Sequence, residues 1–225
     1  MFFIDFNQNF EEAGKFLYLF ISLIAIAWLV LVWYSYKKYG PKRTIIYFLP
    51  IIIATIFVES AGVASGRYVY PGYFIYLSVF NGAVPLIIIL GWSVNLFLFM
   101  NMGRYVVSKI YQQRNVVQII FIALAAGLLG LCLDLLEDPI AHHNAWWIWK
   151  GSIAGIKFYE VPILNFIGWF VLIFFMALTT LLIERSRFTE NRKVLLSITS
   201  ISVTGTLVFI AHAAITKLFF LAGLV

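Results

Sequence analysis

Glu59 stands at the end of an apolar run, and Asp134, Glu137 and Asp138 stand at the end of another. Asp134 and Asp138 are four residues apart and share a face if that run is helical, with Glu137 beside them. His142 and His143 follow after Pro139, so three carboxyls and two imidazoles fall within one short stretch. A carboxylic acid beside aromatic faces suits protonation of an alkene, because positive charge developing on carbon is stabilised by ring quadrupoles. A second carboxylate can then orient or deprotonate water. In this reading Asp134 is the acid, and Glu59 or Asp138 handles the water. The same stretch offers a divalent-metal alternative through Asp134, Asp138, His142 and Glu160.

Aromatic residues crowd the segments next to these carboxyls. Tyr68, Tyr70, Tyr73 and Tyr76 follow Glu59, and Trp146, Trp147, Trp149 and Tyr159 follow Asp138. They suit a belt at a membrane surface as well as the wall of a site. Arg67 lies close enough in sequence to hold or tune Glu59. The run Asp-Leu-Leu-Glu-Asp resembles the acidic motifs that bind magnesium and diphosphate in prenyl-transferring enzymes, although no second motif of that type accompanies it. His212, in the last apolar run, is a further candidate to join the carboxyls.

The elements that must position these groups are set by lipid. Hydrophobic residues make up 63% of the 225 and charged residues only 12%, and the mean hydropathy of +0.95 lies outside the range of water-soluble domains. Apolar stretches long enough to cross a hydrocarbon core lie near 16–36, 44–62, 83–102, 116–136, 163–184 and 194–216. They are continuous rather than alternating, so they predict helices and not a barrel. The expectation is an all-α polytopic protein of about six transmembrane helices, with residues 1–225 forming a single transmembrane domain. The first stretch, Met1 to Lys15, carries acid where a secretory signal is basic, and is read as retained.

The net charge of +6 comes from three loops rather than from a basic stripe that would suit nucleic acid, and no nucleic-acid partner is expected. Lys37, Lys38, Lys42 and Arg43 stand in the first loop, Arg104, Lys109 and Arg114 around the third, and Arg185, Arg187, Arg192 and Lys193 in the fifth. By the positive-inside rule those loops are cytoplasmic and both termini are extracytoplasmic in a cell-membrane protein. Counting about 1.5 Å of rise per residue from Thr44 and from Gln118 then puts Glu59 and Asp134 shallowly below the outer face of a core about 30 Å thick. Carboxyls at membrane depth are rare and mark cavities or pathways. Cys132, the only cysteine, reads as a small hydrophobe.

An ungapped internal match adds an element of symmetry. Val84-Pro85 with Gly91-Trp92 repeats as Val161-Pro162 with Gly168-Trp169 at the same separation. Each proline suits the first turn of a helix, and each tryptophan returns to the same face two turns later. Spans two and three, and four and five, are therefore read as a parallel two-hairpin repeat whose acidic ends face each other.

The segments Glu59–Tyr70, Val84-Pro85 with Gly91-Trp92, Asp134–Pro139, Trp147-Ile148-Trp149 and Val161-Pro162 through Asn165 to Trp169 together resemble the carotenoid biosynthesis proteins, a membrane family that includes carotenoid 1,2-hydratases and bisanhydrobacterioruberin hydratase. The resemblance covers about residues 55–170. It implies addition of water to the terminal C=C of an acyclic carotenoid, with no redox cofactor and no metal. It also implies a lipid-soluble polyene or isoprenoid as partner within the membrane. On this basis Arg67, Tyr68, Tyr70, Trp92, Trp147, Trp149, Asn165 and Trp169 are assigned to substrate binding. Glu137 and the pair His142-His143 depart from the family pattern and leave room for another polyisoprenoid. The rival expectations are a lipid-binding or transport protein without catalysis and a metal-dependent prenyl-lipid enzyme.

Overall fold

A chain crossing lipid must satisfy every backbone N–H and C=O from within, which favours long helices. The computed structural model describes residues 2–4, 16–150 and 156–221, with backbone alone for 2–4, 212, 216 and 219–221. In chain order the elements are β1 (Phe2–Ile4), α1 (Leu17–Tyr39), α2 (Pro41–Ala64), β2 (Tyr68–Val69), β3 (Ile75–Val79), β4 (Gly82–Pro85), α3 (Leu86–Ile110), α4 (Val116–His143), β5 (Ile148–Trp149), β6 (Lys157–Phe158), β7 (Val161–Pro162), α5 (Ile163–Arg185) and α6 (Glu190–Leu221). All six helices are long and apolar enough to span a membrane. The protein is all-α and polytopic.

Local chemistry explains the helix ends. Gly40, at φ 81°, ends α1 and lets Pro41 open α2 at once. The Asn115 side chain caps α4 by accepting from the Gln118 N–H at 3.1 Å. Pro139 looks like a stop in the sequence, but α4 continues through it to His143. Proline removes one hydrogen bond near the end of a helix, and the side chains beyond it are held by the loops described below.

Helices α2, α3, α4, α5 and α6 follow one another around a closed ring, and α1 packs outside it against α2 and α3. Glycines permit the closest approaches: a Cβ on Gly103 would lie 2.9 Å from the Ile122 carbonyl, and one on Gly127 would lie 3.0 Å from that of Phe170. Such small-residue contacts are the usual means of helix association in lipid.

At the basic end of the ring Arg104 of α3 pairs with Glu184 of α5, and its guanidinium lies 5.7 Å from the Tyr47 ring centre on α2. One cation thus ties three helices. Both side chains are under a quarter exposed (24% and 21%). Glu184→Ala, which strands the cation, is expected to destabilise the fold by about 2 kcal/mol, less than the ~3–5 kcal/mol of a fully buried pair. Thermal melting in detergent measures this.

The opposite end carries the strands, which sequence patterning does not reveal because each is only two to five residues long. β3 and β4 form a hairpin through Phe80 and Asn81, both at positive φ (52° and 62°), and β6 and β7 form another through Tyr159 and Glu160 (48° and 66°). Paired positive φ values match the strand twist in two-residue turns. β1 extends the first hairpin along β3, and β2 pairs with β5, setting Tyr68 opposite Trp149. Each hairpin delivers a proline to the start of its helix in the same conformation, Pro85 (φ −60°, ψ 135°) and Pro162 (φ −61°, ψ 132°). The prolines precede the first helical turn rather than sit within it.

Candidate active site

Glu59 lies little more than a turn before the end of α2, and the chain returns over it through β2. The Tyr68 and Tyr70 hydroxyls both donate to its Oε2 at 2.7 Å, and Trp92 Nε1 of α3 donates to Oε1 at 2.8 Å. Three donors on two oxygens form the environment of a carboxylate anion. Burial first, and the Glu59 charge second, push both tyrosine hydroxyls well above the ordinary tyrosine value. They therefore stay protonated and keep donating. Tyr76 fixes this loop by donating to the Tyr70 carbonyl at 2.8 Å while accepting from the Tyr73 N–H at 3.1 Å.

Gly62 is where Tyr68 crosses α2, and a Cβ there would collide with the tyrosine hydroxyl. Gly62→Ala is expected to push that hydroxyl off Glu59, lowering activity several-fold and, because a buried donor loses its acceptor, stability by about 1–3 kcal/mol. Activity compared with melting of the same preparation is the check.

The second acidic group comes from α4. Trp147 Nε1, in the loop before β5, donates to Asp138 Oδ1 at 3.0 Å. Asn165, on the first turn of α5, donates through Nδ2 to Asp138 Oδ2 at 2.7 Å and to Asp134 Oδ2 at 3.0 Å. One amide nitrogen thus joins two carboxyls. Asp134 Oδ1 is buried and has no hydrogen-bond partner among the described residues.

The two acidic groups meet across a cavity of about 130 Å³. Glu59, Glu137 and Asp138 all line it. Tyr70, a donor to Glu59, packs edge-on against Trp147, a donor to Asp138, with ring centres 6.2 Å apart. Tyr68 packs in the same way on Trp149 at 5.0 Å. Trp92 and Trp169, equivalent positions of the internal match, stack at 4.2 Å and 22°. Phe20 and Ile24 of α1, and Val208 and Phe209 of α6, close the apolar part.

Most residues singled out from the sequence reach this cavity. Arg67, Tyr68, Tyr70, Trp92, Trp147, Trp149, Asn165 and Trp169 line it with Glu59 and Asp138. Arg67 lies with its guanidinium 5.4 Å from the Phe209 ring centre, and burial lowers its proton affinity from the usual guanidinium value. Asp134 is buried, as Glu59 and Asp138 are, and bonds to Asn165, but it is not among the residues that line the cavity.

The metal-ligand alternative is not assembled. His142 Nδ1 accepts from the Trp149 N–H at 3.2 Å and so holds β5. Glu160 pairs with Lys157 at 3.1 Å on an exposed hairpin. Among the described residues no three His, Cys, Asp or Glu side chains gather as ligands. The His212 side chain lies outside the described residues. Two polar cavity residues have no site role in the sequence reading. Glu137 was set aside as a departure from a pattern, although its place three residues after Asp134 put it on an adjoining face. Asn95 lies a helical turn beyond Trp92 and had no distinguishing signal.

The family model for carotenoid biosynthesis protein matches residues 17–225. The chain belongs to the carotenoid biosynthesis protein family. That match takes in all six helices and every residue of the cavity, well beyond the central stretch on which the resemblance was first seen. No curated protein and no solved structure matches the chain. Family membership gives the chain a role in carotenoid biosynthesis, and its six spanning helices suit a lipid-soluble substrate met within the membrane.

Proposed function

We propose that the protein is a membrane-embedded hydratase that adds water to the terminal C=C of an acyclic carotenoid or related polyisoprenoid. The observation that carries this reading is the pair of acidic groups, Glu59 and Asp138, lining one small aromatic cavity from α2 and α4. A carboxyl in the last turns of α4 gives its proton to the less substituted carbon of the alkene, whose π electrons form the new C–H bond. The tertiary cation left behind faces indole and phenol rings, whose quadrupoles stabilise it. Water attacks the cation and loses a proton to Glu59, which its three donors hold in place for that task. The net change is alkene plus water to tertiary alcohol, with no change of oxidation state that would call for a redox cofactor.

Such a substrate inserts its reacting end between the two acidic groups and leaves the rest of its polyene among the helices and lipid. With the basic loops in the cytoplasm by the positive-inside rule, both termini and the site face the other side, and the reacting end of the substrate lies in that half of the bilayer.

Expression in a lycopene-producing host tests the activity. The expected result is a tertiary alcohol one water heavier per modified end. Unchanged lycopene in membranes that contain folded protein would sink the reading for that substrate.

A further inference from the structure

Four carboxyls surround the site, and their hydrogen bonds divide them by role. Glu59 receives three donors and Asp138 receives two, one on each oxygen. Carboxyl oxygens occupied by N–H and O–H donors are arranged as acceptors. Asp134 shares the Asn165 amide but stands off the cavity wall. Glu137 lines the cavity, and no described residue donates a hydrogen bond to it. It is also not among the buried side chains left without a partner, so its carboxyl is at least partly accessible, on a residue that lines the cavity. Adjacent residues of a helix point about 100° apart, and Glu137 therefore approaches the cavity from a different side than Asp138, near Tyr73.

On these grounds, and resting on the hydratase reading, we propose that Glu137 is the proton donor to the alkene. An acid can protonate a carbon only if its O–H is turned to the substrate and not committed to a protein acceptor, and Glu137 alone among the four has that freedom. Its O–H bond breaks as the C–H bond forms, leaving the Glu137 carboxylate and the tertiary cation. Water adds to the cation, and Glu59 takes the proton released. Transfer of that proton through water restores the Glu137 acid, so one water is consumed and no other reactant is needed. Asp134, Asn165 and Asp138 are then positioning residues. Their network holds the end of α4 against α5 and sets where Glu137 points.

The test uses full-length protein in vesicles containing lycopene, with initial rates measured in H₂O and D₂O. Glu137→Gln is expected to lose about 100-fold or more in rate while melting near the wild-type temperature. Glu137→Asp, which keeps an acid but withdraws it by one methylene, is expected to lose about 10- to 100-fold and to show a larger solvent isotope effect than wild type. Glu137→Gln within threefold of wild type overturns the proposal. So does a folded Glu137→Asp with the wild-type rate and isotope effect, and this second variant decides the matter if the first does not fold. A wild-type protein that forms no alcohol overturns the hydratase reading for lycopene, and this assignment with it. An active wild type beside an unaffected Glu137→Gln removes only the assignment.

Discussion

Glu59→Gln is expected to lower alcohol formation by about 10²- to 10⁴-fold, the range that a positioned general base contributes, with little loss of stability. The geometry separates the two effects. Trp92 Nε1–H can only donate, so the amide must turn its oxygen toward Trp92 and its NH₂ toward the tyrosines. The Tyr68 and Tyr70 hydroxyls can rotate to accept from that NH₂, which keeps all three neighbours near their present positions. A buried negative charge disappears at the same time, which offsets part of what the reversed hydrogen bonds lose. The result is a folded cavity of unchanged shape without a base for water. Glu59→Leu provides the contrast, because it leaves three buried donors with nothing to bond, each at a cost of about 1–3 kcal/mol. Melting temperature and product yield should therefore part company in the Gln variant and fall together in the Leu variant. A Gln variant with a wild-type rate would remove Glu59 from the chemistry.

The contrast between these variants depends on contacts only partly legible in the sequence. Continuous apolar runs announced six helices because lipid leaves the backbone no other choice, and the Val-Pro and Gly-Trp match marked two tryptophans that do meet face to face. Spacing showed that Asp134 and Asp138 share a helix face but not that only Asp138 of the two lines the cavity. Asn165, which bonds both, arrives from α5. Helical extent was also underestimated at Pro139, since a missing hydrogen bond there is outweighed by the tertiary contacts of Asp138, Ala141 and His142. The clasp that sets Tyr68 opposite Trp149 joins two-residue strands far apart in the chain. Segments so short have no alternation to read, and their pairing exists only once the ring sets the ends of α2 and α4 across one cavity. Glu137 was visible as a residue but not as an open carboxyl, because that property is defined by the absence of donors in three dimensions.

Asn165→Leu is expected to have the largest effect on stability, about 3–5 kcal/mol, read as a fall in melting temperature together with loss of product. The leucine keeps asparagine's branched heavy-atom skeleton, so the change falls chiefly on hydrogen bonding. Asp138 loses its 2.7 Å bond and Asp134 its 3.0 Å bond, and a buried polar group left unsatisfied costs about 1–3 kcal/mol. Asp134, whose Oδ1 already lacks a partner, would be left with only the neighbouring Asp138 carboxyl to bond, and the two acids would face each other without the amide that joins them. This account makes a demand that simple misfolding does not. Removing Asp134 as well, in Asp134→Leu with Asn165→Leu, should recover part of the lost stability, since one stranded carboxyl is gone. Residues joined in one network are non-additive by about 0.5–3 kcal/mol, and here the sign is fixed: the double variant should be more stable than the sum of the singles. Strict additivity would mean that Asn165 does not act by joining the two acids, and the positioning role given to this network would fall with it.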